Sequence, residues 1–243
     1  MSISPSESGR AYEGQRILEA MHEAVLYTRT IFNLVESVMP ASARSVLEFG
    51  AGDGAFVKLF REQGFSVDCV EIDSDLRHGL LQLAPHVYEN LREVGDGSCD
   101  FIYSVNVLEH ISDLGRELDE LNRKLRAPVA GLGGTVFIFV PAFRMLWTSL
   151  DDEVGHVTRF TRRSLRRALE DSGLEIQRME YFDSLGFAAA LTVRLLEKMK
   201  LFRYGSSSVK FYDRYVFPAS RVLDFVFRHF LGKNIIAVAR RAR

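Results

Sequence analysis

Glu48-Phe49-Gly50-Ala51-Gly52-Asp53-Gly54 is the stretch on which the reading of this chain turns. The apolar residues before it, 45–49, read as a strand. Residues 55–63 after it read as a helix, stopped by Gly64. Glycines at a strand-to-helix turn tolerate positive φ and let a ligand lie against the backbone. The amides at the helix start favour an anion. The same alternation continues outward. Strands are expected at 66–72, 86–89, 101–106, 134–140, 175–181 and 234–240, and helices at 74–83, 114–126 and 162–172. Thr161 is placed to cap the last of these helices, and Gly173 follows it. Residues 134–140 are almost wholly apolar, as befits a central parallel strand covered on both faces. The expected architecture is α/β: a doubly wound, seven-stranded, mostly parallel sheet.

Two segments flank that unit. Residues 1–14 are polar and read as a loose arm without a secretory h-region. From 13 to 39, Ile17, Leu18, Met21, Val25, Phe32, Leu34, Val35 and Val38 recur at helical spacing, and Pro40 ends the pattern. Between the last two strands lie some 50 residues, 182–233, where a short connection would suffice. They read as two helices, 184–202 and 208–231, with Pro218 breaking or kinking the second. The chain of 243 residues is thus expected to be one domain, with an arm and cap helix over 1–40 and a helical insert before the last strand. Cys69 and Cys99 sit in or beside strands, away from any Cys/His cluster, so they read as buried free thiols and no metal site is expected. No apolar run is long enough to span a membrane.

Glu71 ends the second strand, 21 residues after Gly50, where a carboxylate can accept both ribose hydroxyls of an adenosine cofactor. Gly50, Gly52 and Ala55 also satisfy the dinucleotide fingerprint, so an NAD(P)-dependent oxidoreductase is one reading. A non-catalytic cofactor-binding protein is another. Three features argue against a dinucleotide. Some 40 largely helical residues precede the first strand. Glu48 can receive an ammonium group that a pyrophosphate lacks. The fourth strand ends in Asn106-Val107-Leu108-Glu109-His110.

With those residues in view, the chain resembles class I S-adenosylmethionine-dependent methyltransferases, in particular types 11 and 12. Residues 48–54 match their ExGxGxG motif, and residues 100–110 match their segment ending in LEH after the fourth strand. The resemblance implies a Rossmann-like fold, EC class 2.1.1.-, and S-adenosyl-L-methionine as cofactor. By it, Glu48, Gly50, Ala51, Gly52 and Gly54 hold the methionine part, Glu71 the ribose, and Ile72 packs on adenine. Asn90 and Leu91 occupy the adenine-amino position, where relatives often carry Asp. Asn106 lines the methionine end, and Tyr27 resembles a tyrosine that closes the pocket.

Methyl transfer from a sulfonium needs an aligned acceptor, and a base only if the acceptor loses a proton early. Residues 155–161 resemble the GHxRRYT segment of methyltransferases associated with glycan and lipid pathways, with Thr158 and Phe160 departing from it. His156 is therefore a candidate base, against the alternative of a structural histidine. His110 is the second catalytic candidate, with packing or hydrogen bonding behind the cofactor as its alternative. Trp147 is read either as the floor of an acceptor pocket or as a loop anchor, and Arg159 either as an anion contact or as a surface ion pair.

Charge is unevenly spread. Residues 191–243 carry 12 Lys/Arg against 3 acids, net +9, while the remainder is −10. The insert interleaves these cations with Phe202, Tyr204, Phe211, Tyr212, Tyr215, Phe217, Phe225, Phe227 and Phe230. It could pack its aromatics into its own core, meet an anionic membrane or a lipid-linked acceptor, or form a homodimer. Nucleic acid is not expected on an acidic body without a recognised motif. The expected enzyme is a cytoplasmic methyltransferase, peripheral at most at the inner face of the membrane, acting on an oxygen of a small-molecule, glycan or lipid-linked acceptor.

Overall fold

The computed structural model describes residues 23–129, 133–201 and 206–242. The polar arm 1–14, the first part of the N-terminal helix, and Phe202 and Tyr204 lie outside the described residues. Strands β1 (Val46–Phe49), β2 (Asp68–Val70), β3 (Val87–Tyr88), β4 (Phe101–Val105), β5 (Thr135–Pro141), β6 (Leu174–Phe182) and β7 (Asn234–Arg241) form one sheet in the order β3-β2-β1-β4-β5-β7-β6. The pairs from β3 through β5 are parallel. β7 is antiparallel to β5, because Arg241 donates its amide to the Gly134 carbonyl while Ala142 donates to Lys233 at the other end. It is antiparallel to β6 by the same logic, with Ala242 donating to Gly173 and Lys233 to Asp183. The sheet is therefore mixed, with the expected helical segment before its last strand.

The order reverses between β1 and β4. A doubly wound sheet opens its ligand crevice at the carboxyl ends of the strands that flank such a reversal. The loop 50–54 follows β1 and Asn106 follows β4, so sequence order and topology bring both to that crevice. Every residue of β5 is buried, which accounts for its unbroken apolar run. Phe32 of α1 (Val25–Val38) and Phe60 of α2 (Ala55–Glu62) meet edge to face at 4.8 Å, and Phe60 lies 5.3 Å from Tyr103 of β4. Cys69 and Cys99 are buried and unbridged, and burial pushes both thiols upward.

The remaining helices are α3 (Ser74–Leu80), α4 (Leu114–Lys124), α5 (Ser149–Glu153), α6 (Arg162–Asp171), α7 (Ser184–Lys198), α8 (Ser206–Phe211) and α9 (Phe217–Phe227). Thr161 caps α6 by accepting the Ser164 amide, and Gly173 follows at φ +76°, both as expected. The short α5 has no apolar period to betray it; Thr148 and Asp151 hold it with a capping box. Pro218 does not break a continuous helix. α8, the π-helical segment Tyr212–Val216 and α9 follow one another without a gap, the backbone staying right-handed helical at both junctions, and Pro218 stands just after the π turn. Proline has no amide for the preceding turn and its ring crowds it, and a π turn is one way a helical run takes up that loss.

The chain divides into two compact units. A sheet unit comprises Phe32–Val140, Thr161–Met179 and the strand from Ile236 onward. An insert unit comprises the described residues up to Ile31, Pro141–Phe160 and Glu180–Ile235. Buried carboxylates organise the insert unit. Asp183, fully buried at φ +66°, caps α7 through the Gly186 amide and accepts the Tyr212 hydroxyl, with Lys233 Nζ 3.4 Å away. Asp224 accepts the Ser184 amide and hydroxyl and the Asp183 amide. Asp213 accepts the amides of Leu26 and Tyr27.

These acids reverse the expected polarity of α9. Phe217, Ser220 and Asp224 face inward, whereas Val222, Phe225 and Val226 face outward. Of the insert aromatics, which the sequence left open between a core of their own and a surface, Phe217 is buried, while Phe211, Tyr215, Phe225, Phe227 and Phe230 are exposed. The inward side of the helix is occupied by polar groups that bond the start of α7.

Candidate functional site

In the sheet unit, the three glycines of the loop after β1 all have positive φ, for different reasons. A Cβ on Gly50 would lie 2.3 Å from Cγ2 of Val107, so the loop after β1 and the segment after β4 exclude one another's side chains. A Cβ on Gly54 would strike Leu80 and Leu83. A Cβ on Gly52 would meet nothing within 4 Å, so there the bare backbone faces open space that a ligand can fill. The amides of Gly50 and Ala51 both donate to the Val70 carbonyl, and Gly52 donates to Glu71 Oε2 at 2.7 Å. The other oxygen of Glu71 accepts the Asp73 amide at 2.9 Å. Glu71 therefore fixes the loop as well as standing at the end of β2, and a carboxylate with two amide donors keeps lone pairs for hydroxyl groups.

Glu48 is buried and pairs in register with Tyr103 on β4, whose hydroxyl donates to it at 3.0 Å. Burial pushes its carboxyl well above the usual range; the Tyr103 bond opposes this, and the charges of Asp53 and Glu71 add to it. Asp53 also accepts the Ala55 amide at 3.2 Å, so one of the helix-start amides expected to draw an anion is already engaged. Asp53 and Glu71 at the glycine loop, with Glu48 buried behind it, form an acidic surround that suits a cation better than a pyrophosphate. S-Adenosylmethionine carries sulfonium and ammonium charges against a single carboxylate, and an ammonium beside Glu48 would favour its ionised form. The residues present fit that cofactor and not a dinucleotide.

The remaining expected contacts are placed as follows. Ile72 is 82% exposed beside Glu71, an open apolar shelf. Asn90 is exposed, but its side chain caps the turn Leu91–Glu93 by accepting the Arg92 amide, and its Nδ2 donates to Glu93. Leu91 is buried. Ala51 is buried within the loop. Asn106 stands at φ +55° immediately after β4, its amide donating to the Phe139 carbonyl. Asparagine is among the few non-glycine residues that tolerate that region. His110 ends the turn Leu108–His110 and is exposed.

Tyr27 lies in the insert unit. Its buried ring meets Phe182 and Phe217 edge on, Lys233 Nζ sits 4.7 Å from the ring centre, and its hydroxyl donates to Asn234 Oδ1.

In the same unit, Asp151 gathers the segment after β5. It accepts the Arg159 guanidinium through both oxygens at 2.7 and 3.0 Å, and the Thr148 amide at 2.8 Å. It stands 2.7 Å from Nδ1 of His156. Burial alone would raise this carboxyl, but His156, Arg159 and Thr148 outweigh it and hold it well below the usual range. An ionised carboxylate can only accept, so Nδ1 of His156 carries the proton of that hydrogen bond. Arg159, read either as a contact for an anionic acceptor or as a surface ion pair, is a largely buried, two-pronged partner of Asp151. Trp147 meets the His156 ring edge on at 6.4 Å and donates from Nε1 to Asp152, with the Arg144 guanidinium 5.3 Å from its ring centre.

Sequence reasoning gave no role to Asp151, Tyr103 or Asp53. Tyr103 needed the β1–β4 register to be recognised as the neighbour of Glu48. Asp151 left one usable signal, an acid five residues before His156 and eight before Arg159.

The methyltransferase domain family matches residues 21–178 of this chain. No curated protein matches it in sequence. Among solved structures, the complex between the Haloferax volcanii Trm112 methyltransferase activator and its methyltransferase is similar at 13% identity over 100% of both chains, with a TM-score of 0.63. A SAM-dependent methyltransferase from Archaeoglobus fulgidus is similar at 19% identity over 88% of this chain and 94% of the other, with a TM-score of 0.58. Geranyl diphosphate C-methyltransferase from Streptomyces coelicolor A3(2), solved with Mg2+, geranyl diphosphate and S-adenosyl-L-homocysteine, is similar at 15% identity over 88% and 79%, with a TM-score of 0.58. At these identities the likeness is one of fold.

Proposed function

The chain belongs to the methyltransferase domain family, and from that premise we propose that it transfers the methyl group of S-adenosylmethionine to an oxygen of a small-molecule, glycan or lipid-linked acceptor, with His156 as the base. The observation that carries this reading is the 2.7 Å contact of Asp151 with Nδ1 of His156. Bound S-adenosylmethionine supplies a methyl carbon on a sulfonium, open to direct displacement. Glu48 meets the ammonium group, Glu71 accepts from the ribose, Gly52 offers bare backbone, and Ile72 offers an apolar face to adenine. His156 takes the acceptor's hydroxyl proton at Nε2, and Asp151 stabilises the imidazolium that results. An oxygen acceptor is favoured because a hydroxyl must lose its proton during transfer.

A screen of hydroxyl, amine and carbon acceptors with labelled cofactor tests the class of acceptor. With the acceptor in hand, His156→Gln should lower kcat by about a hundredfold or more, the usual contribution of a positioned base. Affinity for S-adenosylhomocysteine should stay unchanged. Full turnover by the variant would remove His156 from the chemistry.

A further inference from the structure

α9 presents apolar side chains to the outside and buries polar ones. Phe225 is 80% exposed, Val222 74% and Phe230 72%, and Val226 joins them on the outward side. Single exposed apolar residues are ordinary, but a cluster spaced i, i+3, i+4 on one helix and the turn after it is a surface made to be covered. Cations stand among these residues. The Arg228 guanidinium lies 5.8 Å from the centre of the Phe225 ring, and Arg214 lies 5.7 Å from that of Tyr215. Within 206–233 there are five Lys/Arg and two acids, and both acids, Asp213 and Asp224, are buried; Lys210, Arg221, Arg228 and Lys233 stand 2.6–4.0 Å from Glu23, Asp224, Glu180 and Asp183, while Arg214 and Arg228 also lie beside the exposed rings. No helix among the described residues is long and apolar enough to cross a membrane.

We propose that this face of α9, with Phe225 and Phe230 as its anchors, docks on an anionic lipid bilayer. Aromatic and aliphatic side chains enter the headgroup boundary, while arginines beside them stay with the phosphates. A second copy of the chain fits less well. A two-fold contact sets a patch against itself and would bring together two copies of the segment 206–233, each with five Lys/Arg and two acids. This surface is independent of the acceptor assignment, and its test needs no acceptor.

The test is flotation of the full chain with phosphatidylcholine vesicles with and without phosphatidylglycerol. The wild type should float with the phosphatidylglycerol vesicles and remain behind with phosphatidylcholine alone. Phe225→Asp, and separately Phe230→Asp, should lower the bound fraction about tenfold or more, the scale of removing one phenyl ring from an apolar phase. Arg214→Gln should weaken binding less, and added salt should mimic it. Unchanged S-adenosylhomocysteine affinity in each variant shows that the fold is intact. Equal flotation with both lipids, or equal flotation of wild type and Phe225→Asp, overturns the proposal. So does a wild-type dimer in solution that Phe225→Asp renders monomeric without any vesicle binding.

Discussion

Glu48 shows how one buried acid can select a ligand. Its carboxyl is out of water, bonded to Tyr103 and crowded by Asp53 and Glu71, so protonation is favoured until a cation arrives. The sign of the resulting pH dependence is fixed. Below its raised value Glu48 is neutral and cannot pair with an ammonium; above it the pair forms. Affinity for S-adenosylhomocysteine should therefore fall as pH is lowered through a range lying above the ordinary glutamate value of ~4.3. Glu48→Gln keeps an acceptor for Tyr103 but has no charge to lose, so its affinity should be lower and nearly flat over that range. Calorimetric titration of both proteins at several pH values checks this, and parallel profiles would take Glu48 out of contact with the ammonium.

At the scale of elements, the segment 148–161 depends on Asp151, which ties α5 to the loop that follows it. Four groups converge on one buried carboxylate: the Thr148 amide and hydroxyl, His156 and Arg159. Removing the charge from a buried pair leaves its partner uncompensated, so Asp151→Asn should destabilise the protein by roughly 3 kcal/mol at neutral pH. Because this carboxyl is held below its usual range, the stabilisation is complete above about pH 4 and lost as pH falls further. Denaturant melts of both proteins at neutral and acid pH should converge on acidification. A gap that persists in acid would mean that the loss is one of packing and not of charge.

Across the whole molecule, the cofactor residues after β1, β2 and β4 belong to the sheet unit, and Asp151 with His156 to the insert unit. Ligand binding at the sheet unit adds stability by mass action. S-Adenosylhomocysteine at a hundred times its dissociation constant should add about 2.7 kcal/mol, a rise of roughly 5–11 °C in melting midpoint for a chain of this size. NAD at the same concentration should leave the midpoint where it was, since Asp53 holds a helix-start amide and the loop is ringed by acids. A shift with NAD and none with S-adenosylhomocysteine would reverse the assignment of the loop.

The strand-helix alternation, the order of the motifs and the cofactor class were legible in the residues themselves. Period, glycine placement and the acid at the end of β2 are local properties, and local properties survive in sequence. The roles of individual side chains depended on partners far along the chain. Val107 fills the space that a Gly50 side chain would need, a contact between residues 57 apart that only the β1–β4 pairing creates. Tyr103 reaches Glu48 for the same reason. The aromatics of 206–233 read equally well as a core or as a surface, because composition does not say which side of a helix turns inward. Ser220 and Asp224 settled that by bonding the backbone and side chain at the start of α7, and so left Phe225 outside.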